Sequence, residues 1–518
     1  MTLALVGRIL IASTVTLLAL ATPAHADWRR AESPNFIVYS QGHEGDLRRY
    51  VRNLEIYDHI LRTRMGLPAA AAAAGRKLPI YLVRNQSGLD QISPGIGSNV
   101  AGVYFPVGED IFAAAINDRE QDYLFHEYFH HFTLQLPTTA GYPAWLIEGL
   151  AEYFMTAEVS EGSVKIGGYN ESRVYGLSQT TWIPLDDLLT QRVDEARRGS
   201  YRDTYYPVAW LLTHWLMSEE PRRVQLRAYL QALREGVDSV AAMEQATGMT
   251  TAEITRALRR YDRLRIITYT AAFPATEVTV TRLPPSADDL LLIGQRLKVG
   301  VAEERRADTA ALVRRLAARH PDDPFALLQL GHAELHFGDP EAGEAVLTRL
   351  LEREPNNVEA LQLMTTRYIR LAEESDQTLE LMRRARTYLA RAYAADPNHY
   401  YTLQMLAETR QMAADYPTEN DLVTWDRAFQ LAPQLAGIRL GFANALMEAE
   451  EFEQAELVLQ PLANAAHGGG AAEMAATLLD RARNRQSPFT GEELEAASAD
   501  PTPEDGGGEP AEPLPPED

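Results

Sequence analysis

Apolar and polar positions alternate in two rhythms over the first part of the chain and settle into one afterwards. Asn35–Tyr39 and Leu78–Val83 are short runs of β-branched and aromatic residues that predict strands, and Gly102–Phe105 and Ile111–Ile116 predict two more. Between the first two, Leu47, Tyr50, Val51, Leu54, Tyr57, Ile60 and Leu61 fall at helical spacing, so Gly45–Met65 is expected to be a helix with one core face. The alanine run Ala69–Ala74, between Pro68 and Gly75, reads as a loop. A second helix follows the fourth strand. Leu124 with Tyr128, and Phe125 with Phe129, Phe132 and Leu136, form its apolar stripes; Asn117 or Asp118 can cap it, Gln121 can reach back to the cap, and Pro137 stops it. Another helix is expected over Pro143–Met155 with Pro143 as its first residue, and Tyr201–Arg263 is helical again. From Leu264 to Pro285 the helical rhythm lapses, which places a domain boundary there.

Beyond that boundary the pattern repeats. Helical segments end at His320-Pro321, Glu354-Pro355, Asp396-Pro397 and Ala432-Pro433, at intervals of 34, 42 and 36 residues. The positions Leu327, Leu330-Gly331, Leu347, Leu350 and Pro355, and again Phe442-Ala443, Leu446, Ala455 and Leu459, resemble the tetratricopeptide repeat, although its characteristic aromatic residues are partly missing. Residues 284–485 are therefore expected to form an all-α solenoid that binds a protein partner.

Composition narrows the setting. The 518 residues suffice for about three domains. The start of the chain has one Arg, an apolar run from Ile9 to Ala21 and the small-x-small ending Ala24-His25-Ala26, the layout of a cleavable export signal over 1–26. A periplasmic or secreted protein is expected, with no membrane span after cleavage. The absence of cysteine excludes disulfides, thiolate metal sites and a cysteine nucleophile. A net charge of −23 argues against nucleic acid as a partner. Part of that charge is local, since residues 491–518 hold ten acidic and no basic residues; 486–518 reads as a disordered Pro/Gly-rich tail.

Chemistry concentrates in His126-Glu127-Tyr128-Phe129-His130. Two imidazoles four residues apart share one helix face and can ligate one metal ion, while Glu127, about 100° round the helix, can reach a water beside it. A catalytic zinc site needs three protein ligands and an open position. The string Trp145-Leu146-Ile147-Glu148-Gly149-Leu150-Ala151-Glu152 supplies carboxylates on the next helix, with Glu148 and Glu152 on one face.

Here the chain resembles the gluzincin metallopeptidases, and within them the peptidase MA-like group, in which HExxH is followed by a helix written WLxEGxAE. This sequence has WLIEGLAE, one residue closer to the second histidine than in the aminopeptidase N group. The resemblance implies His126, His130 and Glu148 as ligands of one Zn2+ per chain and Glu127 as general base. It also implies Glu152 as the acid that orients a ligand imidazole. From the run YYPVAWLL it implies an oxyanion donor, Tyr206 first, then Tyr205, then His214. Ile111–Ile116 resembles the edge strand on which the clan pairs an extended peptide. His131 lies off the ligand face and is expected to be packed or solvated. Leu136 and Thr133 stand where the metzincin pattern needs His and Gly, which excludes that clan. A GxMEN string is absent, which argues against aminopeptidase action.

The expectation is an α+β, zincin-like metallopeptidase domain over 27–283, with an α/β part (27–116) and a mainly helical part (117–283), followed by the tetratricopeptide-like solenoid. The function implied is an exported zinc endopeptidase. The alternative is a non-catalytic scaffold or envelope assembly factor acting through its repeats. No stretch spells a substrate preference.

Overall fold

The computed structural model describes residues 28–67, 76–97, 100–117, 122–136, 139, 141–160, 162–179, 181–197, 201, 203–465 and 469–488. The expected export signal, the alanine loop, Asp118, Gln121, Pro137 and the tail beyond 488 lie outside the described residues.

The chain enters through strands β1 (Arg29–Glu32) and β2 (Phe36–Ser40), crosses helix α1 (Glu44–Arg64) to β3 (Leu78–Val83), and passes the short α2 (Gln86–Ile92) to the hairpin of β4 (Gly102–Val107) and β5 (Asp110–Ile116). The crossover helix sets β3 parallel to β2, and β5 lies parallel to β3 on the other side. Alternation along β3 and β5 explains the layering. Ile80, Leu82, Ile111, Ala113 and Ala115 face the cluster that holds Leu47, Val51 and Leu54 of α1, whereas Tyr81, Val83, Phe112 and Ala114 face a second cluster with Leu89 and Ile92 of α2. A strand buried on both faces has no polar alternation to show, and β3 is buried at all six positions.

One expectation is corrected here. Ile111–Ile116 is not the edge of the sheet: β5 lies between β3 and β4, and the antiparallel β4 is outermost. The hairpin folds β4 outward, and the exposed Pro106 within β4 suits an edge, where a missing N–H breaks no ladder.

The helices α3 (Asp122–Thr133) and α4 (Ala144–Met155) follow, with Pro143 just outside α4 instead of within it. A small sheet begins with β6 (Glu158–Ser160) and β7 (Ser163–Ile166). Then come α5 (Glu171–Gln179), α6 (Leu185–Thr190), α7 (Val193–Arg197), α8 (Tyr205–Met217), α9 (Glu220–Arg234), α10 (Ser239–Thr247) and α11 (Thr251–Leu258). The stretch expected to be a boundary contains two strands. β8 (Ile267–Thr270) joins the small sheet beside β7, and β9 (Thr279–Arg282) returns to pair antiparallel with β1, giving the main sheet the order β4-β5-β3-β2-β1-β9.

Helix pairs make up the rest: α12 (Ser286–Val299) with α13 (Arg306–Ala317), α14 (Pro324–Phe337) with α15 (Pro340–Arg353), α16 (Val358–Glu373) with α17 (Thr378–Ala395), α18 (Tyr400–Glu408) with α19 (Glu419–Leu431), α20 (Ala436–Glu448) with α21 (Phe452–Ala463), and a last helix α22 (Gly469–Arg483). Pro321, Pro355, Pro397 and Pro433 each stand just past the second helix of a pair, where proline blocks continuation. The chain is thus a mixed α+β protein with a helical, tetratricopeptide-like C-terminal region.

That region does not stand apart from the sheet. Ala287, Leu291 and Leu292 of α12 complete the second apolar cluster, so the first repeat helix covers one face of the main sheet. At the other end Ile438, Leu446, Leu459 and Leu478 share a cluster with Phe129, Trp145 and Leu212. Buried Arg439 donates to the carbonyls of Leu134 and Val458, both at 2.8 Å, and to that of Pro433, while Gln434 Nε2 donates to His131 O at 3.4 Å. Between these ends, buried Asp110 receives Arg76 and Lys298 (3.4 Å), and Lys298 also meets Glu359 at 3.1 Å.

Candidate metal centre

Helix α3 is pinned by its apolar side. Leu124, Phe125, Tyr128, Phe129 and Phe132 are buried, the Tyr57 hydroxyl donates to Phe125 O at 3.1 Å, and the Tyr128 hydroxyl donates to Asp58 at 2.6 Å. This leaves His126, Glu127 and His130 half-buried.

Helix α4 is buried nearly all round, which is why an apolar string can carry two carboxylates that are 0 % and 1 % exposed, Glu148 and Glu152. Gly149 permits this. A Cβ there would stand 2.1 Å from Thr213 Oγ1 and 2.6 Å from Ala209 O of α8, so only glycine lets the two helices approach at this level.

The approach of α4 to α3 brings three residues together. Nε2 of His126 and Nε2 of His130 are 3.1 Å apart, Glu148 Oε2 is 3.5 Å from the first and Glu148 Oε1 is 3.5 Å from the second. A tetrahedral ion with bonds of about 2.0–2.2 Å would set its donors about 3.3–3.6 Å apart. The separations of 3.1, 3.5 and 3.5 Å come close to that range, with each imidazole facing its own oxygen of Glu148. The chemistry of this donor triangle, two imidazoles and one carboxylate, fits zinc. His126, His130 and Glu148 are the residues that would hold it.

Around the triangle the electrostatics favour a cation. Burial alone would lower the His126 pKa, but Glu148 and Glu152 outweigh it and raise the ring to about 10. Nδ1 of the same ring lies 3.3 Å from Glu152 Oε1. Burial would raise the Glu152 carboxyl, yet Arg173 and His126 hold it down at about 2. Arg173, on α5, donates through Nε and a terminal nitrogen to both oxygens of Glu152, each at 2.8 Å. Such a fork fixes the plane of the carboxylate and through it the ring. No local sequence signal marks Arg173: it sits in an ordinary polar helix, and only the fold brings it to Glu152.

The three oxyanion candidates separate clearly. Tyr206 is beside the centre, its ring 6.3 Å from that of His126, with the Arg173 guanidinium 5.0 Å over its face. Tyr205 is fully buried and donates to Gln191 O at 3.1 Å. His214 is engaged elsewhere, with Gly167 O at 3.0 Å and the Tyr261 hydroxyl at 2.8 Å. The Tyr205 hydroxyl and both ring nitrogens of His214 thus have partners outside the HExxH helix. His131 is packed, its Nδ1 2.9 Å from the Tyr104 hydroxyl, and burial pushes it down to about 3.

Comparison with known proteins adds two family matches. A model described as "Tetratricopeptide repeat" matches residues 301–366, from just before α13 into α16. One described as "Protein of unknown function (DUF1570)" matches residues 125–236, a span that contains His126, Glu127, His130, Glu148, Glu152, Arg173 and Tyr206. No curated protein matches. Among solved structures, a thermophilic TPR protein of Thermus thermophilus is similar at 16% identity and a TM-score of 0.29, over 34% of this chain and 99% of that one.

Proposed function

We propose that the protein is an exported zinc-dependent endopeptidase of zincin type whose tetratricopeptide repeats engage a protein. The observation that supports it most is the donor triangle of His126, His130 and Glu148, with Glu127 beside it on α3 and the Glu152–Arg173 pair behind it. Zinc in that triangle would supply Lewis acidity and lower the pKa of a water toward about 7.

The chain's own residues supply the remainder. Glu127 takes a proton from the attacking water and returns it to the leaving amine, the task for which a half-buried carboxylate one position from a ligand histidine is suited. Tyr206 donates to the carbonyl oxygen as that oxygen gains charge. Glu152 and Arg173 hold the His126 ring in one orientation. Among the described residues, strand β4 pairs within the sheet to β5 alone, which suits backbone pairing with an extended substrate. The repeats carry the partner-binding role that such arrays generally have.

Exported proteomes of cells carrying the wild type and Glu127→Gln test this reading. New protein termini present only with the wild type are expected. A Glu127→Gln strain that shows the same termini and fully rescues a deletion phenotype would favour a scaffold role for the repeats.

A further inference from the structure

A second pair of histidines at i and i+4, His332 and His336, lies on α14 against the turn between β4 and β5. Their ring centroids are 4.9 Å apart, and the turn residue Glu109 brings Oε2 to 3.5 Å from His332 Nε2. One donor atom from each of Glu109, His332 and His336 lies within 4.8 Å of the other two. His332 is 1 % exposed, and neither of its ring nitrogens has a hydrogen-bond partner among the described residues. Nε2 of His336 is likewise buried without a hydrogen-bond partner among them.

A neutral imidazole always carries one N–H and one lone pair, so a buried ring satisfied at neither nitrogen is a defect that packing does not require. Leucine would fill a similar volume without it. Burial disfavours the charged form of both rings, holding His332 at about 4 and His336 at about 3.

We propose that Glu109, His332 and His336 form a second metal site, for zinc or another divalent ion that prefers imidazole, and that it clamps the β4–β5 turn to the repeat array. Two nitrogens and one carboxylate oxygen match zinc, cobalt or nickel better than calcium or magnesium, which take oxygen ligands. The nearby cation Lys298 is engaged by Glu359 and Asp110. One neighbour opposes loading: exposed Arg370 of α16 donates to His336 Nδ1 at 3.0 Å, which places the ring proton on Nε2. Ligation through Nε2 needs that proton on Nδ1, so Arg370 must swing into solvent. The site is independent of the peptidase reading, although it would steady β4, the edge strand.

The test uses the full-length protein, stripped with a chelator and titrated with zinc, with metal content measured directly. The wild type should take up two equivalents. His126→Gln/His130→Gln should keep one, and His332→Gln/His336→Gln should keep the other. Glu109→Gln, at a partly exposed position that threatens folding least, should weaken the second equivalent by at least about tenfold. Arg370→Ala should tighten it severalfold. Circular dichroism and melting curves establish that each variant is folded. The proposal is overturned if His126→Gln/His130→Gln binds no zinc, or if folded Glu109→Gln and Arg370→Ala both bind as the wild type does. Unchanged zinc uptake by His126→Gln/His130→Gln alone would instead contradict the peptidase reading.

Discussion

Nδ1 of His126 lies 3.3 Å from Oε1 of Glu152, one helical turn beyond the carboxylate that faces the same ring's Nε2. The imidazole is held between two carboxylates of a single buried helix, and Arg173 determines how the second is oriented. Glu152→Gln and Arg173→Met should each lower zinc affinity at the HExxH site by about 10–100-fold without removing a ligand. Competition with a chromophoric chelator measures this. Affinity equal to the wild type in both variants would make the pair a structural ion pair only.

Tyr206 and Tyr205 are adjacent in sequence and differ in what their hydroxyls face. Tyr206→Phe should reduce kcat by about 10²–10³ with zinc content unchanged. Tyr205→Phe should leave turnover near the wild type, because its hydroxyl serves Gln191 O. Steady-state kinetics on one peptide substrate separates them, and the reverse order would move the donor to Tyr205.

Gly149 follows Glu148 within α4 and faces α8, where there is no room for a Cβ. In Gly149→Ala the added methyl meets both Thr213 Oγ1 and Ala209 O. Overpacking of this kind costs about 1–3 kcal/mol. Both a lower melting temperature and weaker zinc binding are expected, since Glu148 and Glu152 move with the helix. Adding Thr213→Ala should restore only part of the loss, because the Ala209 carbonyl remains.

Acid should destabilise the repeat array between α16 and α18. His399 Nδ1 accepts from Gln362 Nε2 at 3.0 Å, and burial, with Arg76 adding to it, pushes its pKa down to about 4. An unfolded histidine titrates near 6.5. Between about pH 6.5 and 4 the unfolded chain binds a proton that the folded chain refuses, so stability rises with pH in that window and falls as acid is added. His399→Gln should remove up to about 1.4 kcal/mol of this dependence per pH unit. Urea unfolding at pH 5 and pH 8 measures it; an unchanged pH dependence would show that His399 is not a contributor.

Local spacing made much of this readable. The β3 run, the α1 stripe and the repeat-ending prolines are each encoded within a few residues of the elements they define, and so are the candidate ligands on α3 and α4. Contacts made across long separations were not readable. β9 pairs with β1 from the far end of the first region, the hairpin decides that β4 and not β5 is outermost, and Arg173 reaches Glu152 from a helix with no marking of its own. Arg439 ties the last repeats to the end of α3, which no periodicity announces. His332 and His336 show the same spacing as the HExxH pair, but the carboxylate that completes their cluster sits in a remote turn.

The most direct test of the central claim compares zinc content and peptide-bond cleavage in purified wild type and Glu127→Gln. The wild type, loaded with zinc, is expected to cleave an unfolded polypeptide. Glu127→Gln is expected to hold the same zinc and to lose activity by at least about 10²–10⁴-fold. Zinc-loaded wild type that leaves unfolded polypeptides intact, or a Glu127→Gln protein that cleaves as fast, would contradict the account.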